Sequence, residues 1–125
     1  GPLSGEPRRV VDTFDVLLGT VSDGQQIFGF NTTIGVVATD AILTKEEANF
    51  LAQVSHDGLA LAIRPCHTIR DGDTMFCMAT CERSDAVDMT AIGAAAVHVT
   101  AQAVVNAVKF AIGLAGIPSS SDVAE

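Results

Sequence analysis

The sequence predicts an α/β domain. Three observations carry this: a β-branched apolar run over Thr33–Thr39, a second strand-like segment over Asp73–Thr80, and a helix-spaced segment after each. The order strand, helix, strand, helix defines the class. At 125 residues the chain is long enough for one domain and too short for two. It is 48% hydrophobic with no Trp or Tyr, so the core draws on Ala, Val, Ile and Leu. So much apolar surface in so short a chain further predicts that other polypeptide covers part of it.

The elements follow in chain order. Gly1-Pro2-Leu3 resembles what a tag-removing protease leaves behind, so residues 1–5 are set aside from the fold. In residues 6–31, Phe14, Val16 and Leu18 share one face of a weak strand. Ser22-Asp23-Gly24-Gln25 reads as a turn, and Ile27 to Phe30 as a returning strand. Thr33–Thr39 is apolar on alternate positions of both faces, which predicts a strand buried on both sides. Gly35 within it leaves room for a close neighbour.

Thr44-Lys45-Glu46-Glu47 is a capping box, and Leu51, Val54, Gly58, Leu61 and Ala62 continue a helix that Pro65 ends. Gly58 costs about 1 kcal/mol relative to Ala in a helix, which points to a close backbone contact there. Asp73–Thr80 places Met75, Cys77 and Ala79 on one face and Phe76 and Met78 on the other. Cys81–Val87 reads as a polar loop. Asp88 caps a long helix, Met89–Ile112. Residues 118–125 are a tail, of which Pro118-Ser119-Ser120-Ser121 reads as frayed.

Charge excludes several roles. Fifteen acidic residues against seven basic ones give a net charge of −8. A nucleic-acid binder needs cations to displace phosphate counterions, and an anionic membrane surface needs the same. Met89–Ile112 is long enough to span a bilayer. However, His98, Gln102, Asn106 and Lys109 are spaced four, four and three apart and form a polar stripe, which predicts a buried amphipathic helix of a soluble protein and not a membrane span. Three cysteines, Cys66, Cys77 and Cys81, suit reduced thiols in a cytoplasmic protein. No Cys-x-x-Cys knuckle joins them with His67, so no metal is expected. His56, late in its helix, and His67, after the Pro65 break, read as surface or loop histidines.

Two places could carry chemistry. A Thr hydroxyl becomes an effective nucleophile when the Thr is the first residue of a chain, because its own α-amine, with a pKa of about 7.7–8, serves as the base. Asn31-Thr32, at the lip of a strand, could supply such a Thr by self-cleavage, with the hydroxyl attacking the Asn31 carbonyl and the ester then hydrolysing. Taken alone, Asn-Thr-Thr is equally an ordinary polar lead-in to a strand. In Asp71-Gly72-Asp73-Thr74 two carboxylates stand two apart at a strand mouth, where both can point the same way. An Asp-Gly turn is the simpler account of those residues alone. An aspartyl-phosphate phosphatase start needs a hydrophobic strand before the first Asp, and His67-Thr68-Ile69-Arg70 is not one.

Taken in order, Asn31-Thr32-Thr33-Ile34, Ala38-Thr39-Asp40-Ala41, the capped helix, Ile63-Arg64-Pro65-Cys66-His67-Thr68 and Asp71-Gly72-Asp73-Thr74-Met75-Phe76 resemble the small-chain part of the L-aminopeptidase/D-esterase family. The Pro-x-His-Thr and Asp-Gly-Asp-Thr patterns are most similar to those of its nylon-oligomer hydrolases. The resemblance runs from about Asn31 to Ala111.

The resemblance implies a precursor that cuts itself between Asn31 and Thr32, with Thr32 as nucleophile and Asp71 and Asp73 beside it. Residues 6–31 would precede the cut, and residues 32–117 would be the catalytic small-chain region. It implies a four-layer α/β/β/α sandwich similar to N-terminal-nucleophile hydrolases, of which this chain supplies part. It further implies a large chain of the same precursor, a homo-oligomer, small peptide or amide substrates, and no cofactor. Two alternatives stay open: an acyltransferase of the ornithine acetyltransferase type, and an uncleaved, non-enzymatic relative. The departures are that family members carry a much longer chain before the cut, and that residues 6–30 match none of its motifs. The oxyanion-hole donors and the Tyr or Lys expected from a large chain are absent here.

Overall fold

The computed structural model describes residues 3–4, 9–19 and 32–123. In chain order the elements are β1 (Leu3–Ser4), β2 (Arg9–Val10), α1 (Thr13–Leu17), β3 (Ile34–Ala41), α2 (Lys45–Ala62), β4 (Thr74–Arg83), α3 (Met89–Phe110) and a short 3-10 turn, Ser120–Asp122. They fall into two compact units, Phe30–Val104 and, separately, Gly1–Gly29 with Val105–Glu125. The protein is therefore mixed α/β, as expected.

The unit Phe30–Val104 is a β-α-β unit followed by a helix. β3 and β4 pair in parallel from Ile34↔Thr74 to Thr39↔Ala79, and a register shift precedes Ala41↔Arg83. A parallel pair needs a long crossover, and α2 supplies it. The capping box that starts α2 is complete: the Thr44 hydroxyl accepts from the Glu47 N–H at 3.2 Å, and the Glu47 carboxylate accepts from the Thr44 N–H at 2.8 Å.

One face of the sheet packs on α2. Val37, Leu51, Leu59, Met75 and Ala96 form the core, with Leu51 and Leu59 wholly buried. The buried face of α2 runs Leu51, Ser55, Gly58, Leu59, so Leu59 turns inward, while the expected core residue Leu61 is 69% exposed. Ser55 is tolerated inside because its hydroxyl donates to the Leu51 carbonyl at 2.6 Å. Gly35 and Gly58 both mark close approaches. A Cβ on Gly35 would meet the Met75 sulfur at 2.5 Å, and one on Gly58 would meet the Val97 carbonyl oxygen at 2.5 Å. α3 thus packs on α2 through small residues, with Gly93, Ala96 and Thr100 buried.

The sheet is not buried on both sides as the residue pattern predicted. Ile34, Val36, Phe76 and Met78 stand on its other face at 52–71% exposure. Apolar residues on both faces remain the sequence signature of a covered sheet, but among the described residues only α2 and α3 supply cover. α3 is long and apolar enough to cross a membrane by length and composition. Its expected polar stripe, His98, Gln102, Asn106 and Lys109, is exposed, but so are Val99, Val105, Val108 and Phe110, so α3 is not the buried helix the stripe predicted.

The other unit departs from expectation in three places. Leu3–Ser4 pairs antiparallel with Arg9–Val10, so residues set aside as a tag remnant take part in local structure. Phe14 and Val16 belong to a short helix, not a strand, because the Asp12 carboxylate accepts from the Phe14 N–H at 2.8 Å and caps it. The proposed turn at 22–25 and strand at 27–30 lie outside the described residues. Ser119–Asp122, expected to fray, are tied down: the Asp122 carboxylate accepts from the Ser119 N–H at 2.9 Å and its hydroxyl at 2.6 Å, and the Ser120 hydroxyl donates to the Val108 carbonyl. β4 also extends through Arg83, so Cys81–Arg83 is strand where a loop was expected.

Candidate active site

Parallel pairing places the N-terminal ends of β3 and β4 side by side, so the residues just before each strand meet. The Thr74 N–H donates to the Thr33 carbonyl at 2.9 Å, and the Thr33 N–H donates to Oδ1 of Asp73 at 2.8 Å. Between these bonds Thr32 lies over Gly72. A Cβ on Gly72 would stand 2.9 Å from the Thr32 hydroxyl oxygen, closer than ordinary packing allows. The glycine between the two aspartates therefore makes room for the Thr32 hydroxyl. Thr32 is itself exposed.

Asp71 has a local task as well. Its carboxylate accepts from the Thr68 N–H at 2.8 Å, and its N–H donates to the Thr68 carbonyl at 3.0 Å, which closes the turn leading into Gly72. Thr32, Asp71 and Asp73, expected to share a site, thus gather at one edge of the sheet. Asn31, across the expected bond, lies outside the described residues.

Asp73 is the hub. Oδ2, its second oxygen, is 3.0 Å from His67 Nδ1 and 3.4 Å from the Cys66 sulfur. His67 Nε2 is in turn 3.4 Å from His56 Nδ1. Which of the two rings donates in this contact follows from their tautomers. Burial pushes the Asp73 carboxyl up. Hydrogen bonds from the Thr33 N–H, the Cys66 thiol and the Thr33 hydroxyl, with the nearby His67, outweigh it and hold the group below the usual carboxylate value. Burial, the hydrogen bond to Asp73 and the negative charge of that carboxylate push the Cys66 thiol up to about 11.

Cys66, His67 and His56 were not expected beside Asp73. His67 adopts a left-handed backbone conformation, φ 59°, after the cis Arg64–Pro65 bond. This conformation is uncommon for a non-glycine residue, and the ring meets Asp73 through Nδ1 and His56 through Nε2. The sequence offered one hint: Cys66 and His67 precede Asp73 by only seven and six residues across a turn. A cavity of about 310 Å³, lined by Thr39, Asp40, Arg83, Asp85 and Ile92 among others, opens at the opposite ends of the strands.

The Thr32 hydroxyl thus sits over a glycine that lies between two aspartates in the chain, at the start of a parallel strand pair. The model of Peptidase family S58 matches residues 7–120. The chain belongs to peptidase family S58. This S58 chain is 42% identical to an uncharacterized aminopeptidase of Mycobacterium tuberculosis, over 75% of its own length and 31% of that protein. It is 45% identical to an uncharacterized aminopeptidase of Mycobacterium leprae, over 71% and 28%. It is 34% identical to a 6-aminohexanoate-oligomer endohydrolase of Paenarthrobacter ureafaciens, over 63% and 25%. The S58 chain thus spans about a quarter to a third of the length of the curated relatives it matches.

Proposed function

We propose that this chain is the nucleophile-bearing part of an autoprocessed amide-bond hydrolase, acting on peptides or small amides. The carrying observation is the seat of the Thr32 hydroxyl over Gly72, next to the Thr33 N–H to Asp73 bond. Family membership and the aminopeptidase and oligomer-endohydrolase names of its relatives support the same reaction class.

In the proposed course, the Thr32 hydroxyl attacks the Asn31 carbonyl, the C–N bond breaks, and the acyl group passes to oxygen as an ester. Water then releases the preceding chain, and Thr32 keeps a free α-amine. In turnover that amine takes the proton from the hydroxyl as it attacks a substrate carbonyl, then returns it to the leaving amine. Water hydrolyses the resulting acyl-enzyme. Asp73 fixes the backbone of Thr33, and so the direction of Thr32, and its negative charge favours the ammonium form that arises during attack. Asp71 holds the turn that presents Gly72. Asp73, kept below the usual carboxylate range, remains charged through neutral pH, as this role requires.

The reading includes a partner. A large chain of the same precursor would cover the bare apolar sheet face of Ile34, Val36, Phe76 and Met78, giving the four-layer arrangement. It would also supply the oxyanion donors, each worth about 10²–10³ in rate. Homo-oligomer formation belongs to the same proposal. Intact mass of the full-length protein tests the reading. Two masses that split at Asn31–Thr32, and one uncut mass for Thr32→Ala, are expected. A single uncut mass in fresh and aged wild-type protein would overturn it.

A further inference from the structure

We propose that Cys66, His67 and Asp73 form a binding site for one thiophilic divalent cation of the class that zinc represents. The three donor atoms, Sγ, Nδ1 and a carboxylate oxygen, all lie within 4.8 Å of one another. Two edges of the triangle are the 3.0 Å between His67 Nδ1 and Asp73 Oδ2 and the 3.4 Å between Cys66 Sγ and the same oxygen. A tetrahedral zinc ion, with Zn–S about 2.3 Å and Zn–N and Zn–O about 2.0–2.2 Å, needs its ligand atoms roughly 3.3–3.6 Å apart. These two edges lie within a few tenths of an ångström of that, and the third, from Sγ to Nδ1, is at most 4.8 Å, so an ion draws the Cys66 and His67 donors together as it enters.

The surroundings suit a cation as well. Metal-bound histidines almost always donate their other ring N–H to an acceptor that fixes the tautomer. His56 Nδ1, 3.4 Å from His67 Nε2, stands where that acceptor is needed. The second oxygen of Asp73 is already held by the Thr33 N–H, which orients the carboxylate. The Asp73 side chain is 7% exposed and that of His67 37% exposed, so the site has a buried floor and an open rim. Three protein donors leave a fourth position for water. On binding, the Cys66 S–H proton is released to solvent and an S–metal bond forms. One thiolate and one carboxylate then balance the two positive charges.

The site adjoins Thr32, and its effect on activity rests on the reading of Thr32 as nucleophile. A cation on Asp73 Oδ2 neutralises the charge that favours the ammonium form of Thr32, so the loaded protein turns over more slowly.

Cobalt titration of the reduced full-length protein tests the site without reference to turnover. The expected result is one cobalt ion per chain with a thiolate-to-cobalt charge-transfer band, displaced by zinc. The band is lost in Cys66→Ser, kept in Cys77→Ser and Cys81→Ser, and unchanged in Thr32→Ala. His56→Ala, which leaves all three donors in place, weakens binding about 10–100-fold. Circular dichroism shows whether each variant is folded. If Cys66→Ser is not, His67→Gln decides, with a loss of binding expected. Absence of the band in the wild type, or a band that survives in folded Cys66→Ser or His67→Gln, overturns the proposal. A cobalt site in a protein that never cuts at Asn31–Thr32 would leave the site standing and remove only the nucleophile reading.

Discussion

The backbone N–H of Thr33 donates to Oδ1 of Asp73 at 2.8 Å, joining residues forty positions apart at the point where β3 and β4 begin. This bond sets the direction of the chain at Thr32. It also ties the candidate nucleophile to the group that meets His67 and Cys66.

Asp73→Asn tests both roles of that carboxylate. The amide oxygen can still accept from Thr33, but the charge is gone and the amide N–H₂ faces His67 and Cys66. We expect a loss of about 1–3 kcal/mol in urea unfolding, together with slowed self-cleavage. Unchanged cleavage with reduced stability would assign Asp73 a structural role alone.

The stability difference between wild type and Asp73→Asn should depend on pH, measured with chelator present. The folded-state pKa of Asp73 lies below its ordinary value. Its contribution is therefore fully present above the unfolded-state pKa, about 3.9, and is lost as pH falls through the lower folded-state value. Thermal midpoints of the two proteins should stand furthest apart near neutrality and converge in acid. A gap that widens on acidification would contradict the direction given.

Gly72→Ala should impair processing far more than folding. Gly72 is exposed, and the added methyl meets chiefly the Thr32 hydroxyl, at 2.9 Å. Displacing a nucleophile by about 1 Å can cost roughly 10²-fold in rate. The rate of appearance of the cut chain by mass spectrometry, beside a melting curve, separates the two effects.

Gly58→Ala should do the reverse. The new Cβ would stand 2.5 Å from the Val97 carbonyl and 2.7 Å from Thr100 Cβ, both inside the α2–α3 contact. The gain in helix propensity of about 1 kcal/mol is outweighed if the helices must part, and overpacking of this kind costs about 1–3 kcal/mol. Denaturant unfolding is expected to show net destabilisation.

Thiol labelling at pH 8 should distinguish Cys66 from Cys81. Cys66 is partly buried with its thiol pushed up to about 11, so about one molecule in a thousand carries the thiolate. Cys81 is exposed on β4. Peptide mapping after brief alkylation should find Cys81 modified first. Equal rates would mean that Cys66 is not hydrogen-bonded to Asp73 in solution.

The elements of the β-α-β unit were legible because each rests on local physics. Thr44 and Glu47 cap α2 whatever lies elsewhere, and alternation alone sorts Met75 and Cys77 from Phe76 and Met78. Gly35 and Gly58 were recognisable as close contacts because each interrupts a pattern at some cost. Misreadings arose where local signals were weak. Phe14 and Val16 alternate like a strand, yet the segment is a short helix that begins at the Asp12 cap. Leu61 and Leu59 both fit a helical stripe, and only the position of the sheet selects Leu59.

The sequence by itself determined the strand–helix–strand–helix order, the motifs Asn31-Thr32 and Asp71-Gly72-Asp73, and through them the family. It could do so because caps, periodicity and motif order are properties of neighbouring residues. Only the tertiary structure decided that Asp73 bonds to Thr33, that Gly72 lies beneath Thr32, and that Cys66, His67 and His56 converge on one carboxylate. Those relations depend on the parallel register of β3 with β4 and on the left-handed turn at His67. Both are set by how α2 returns the chain to the start of the sheet.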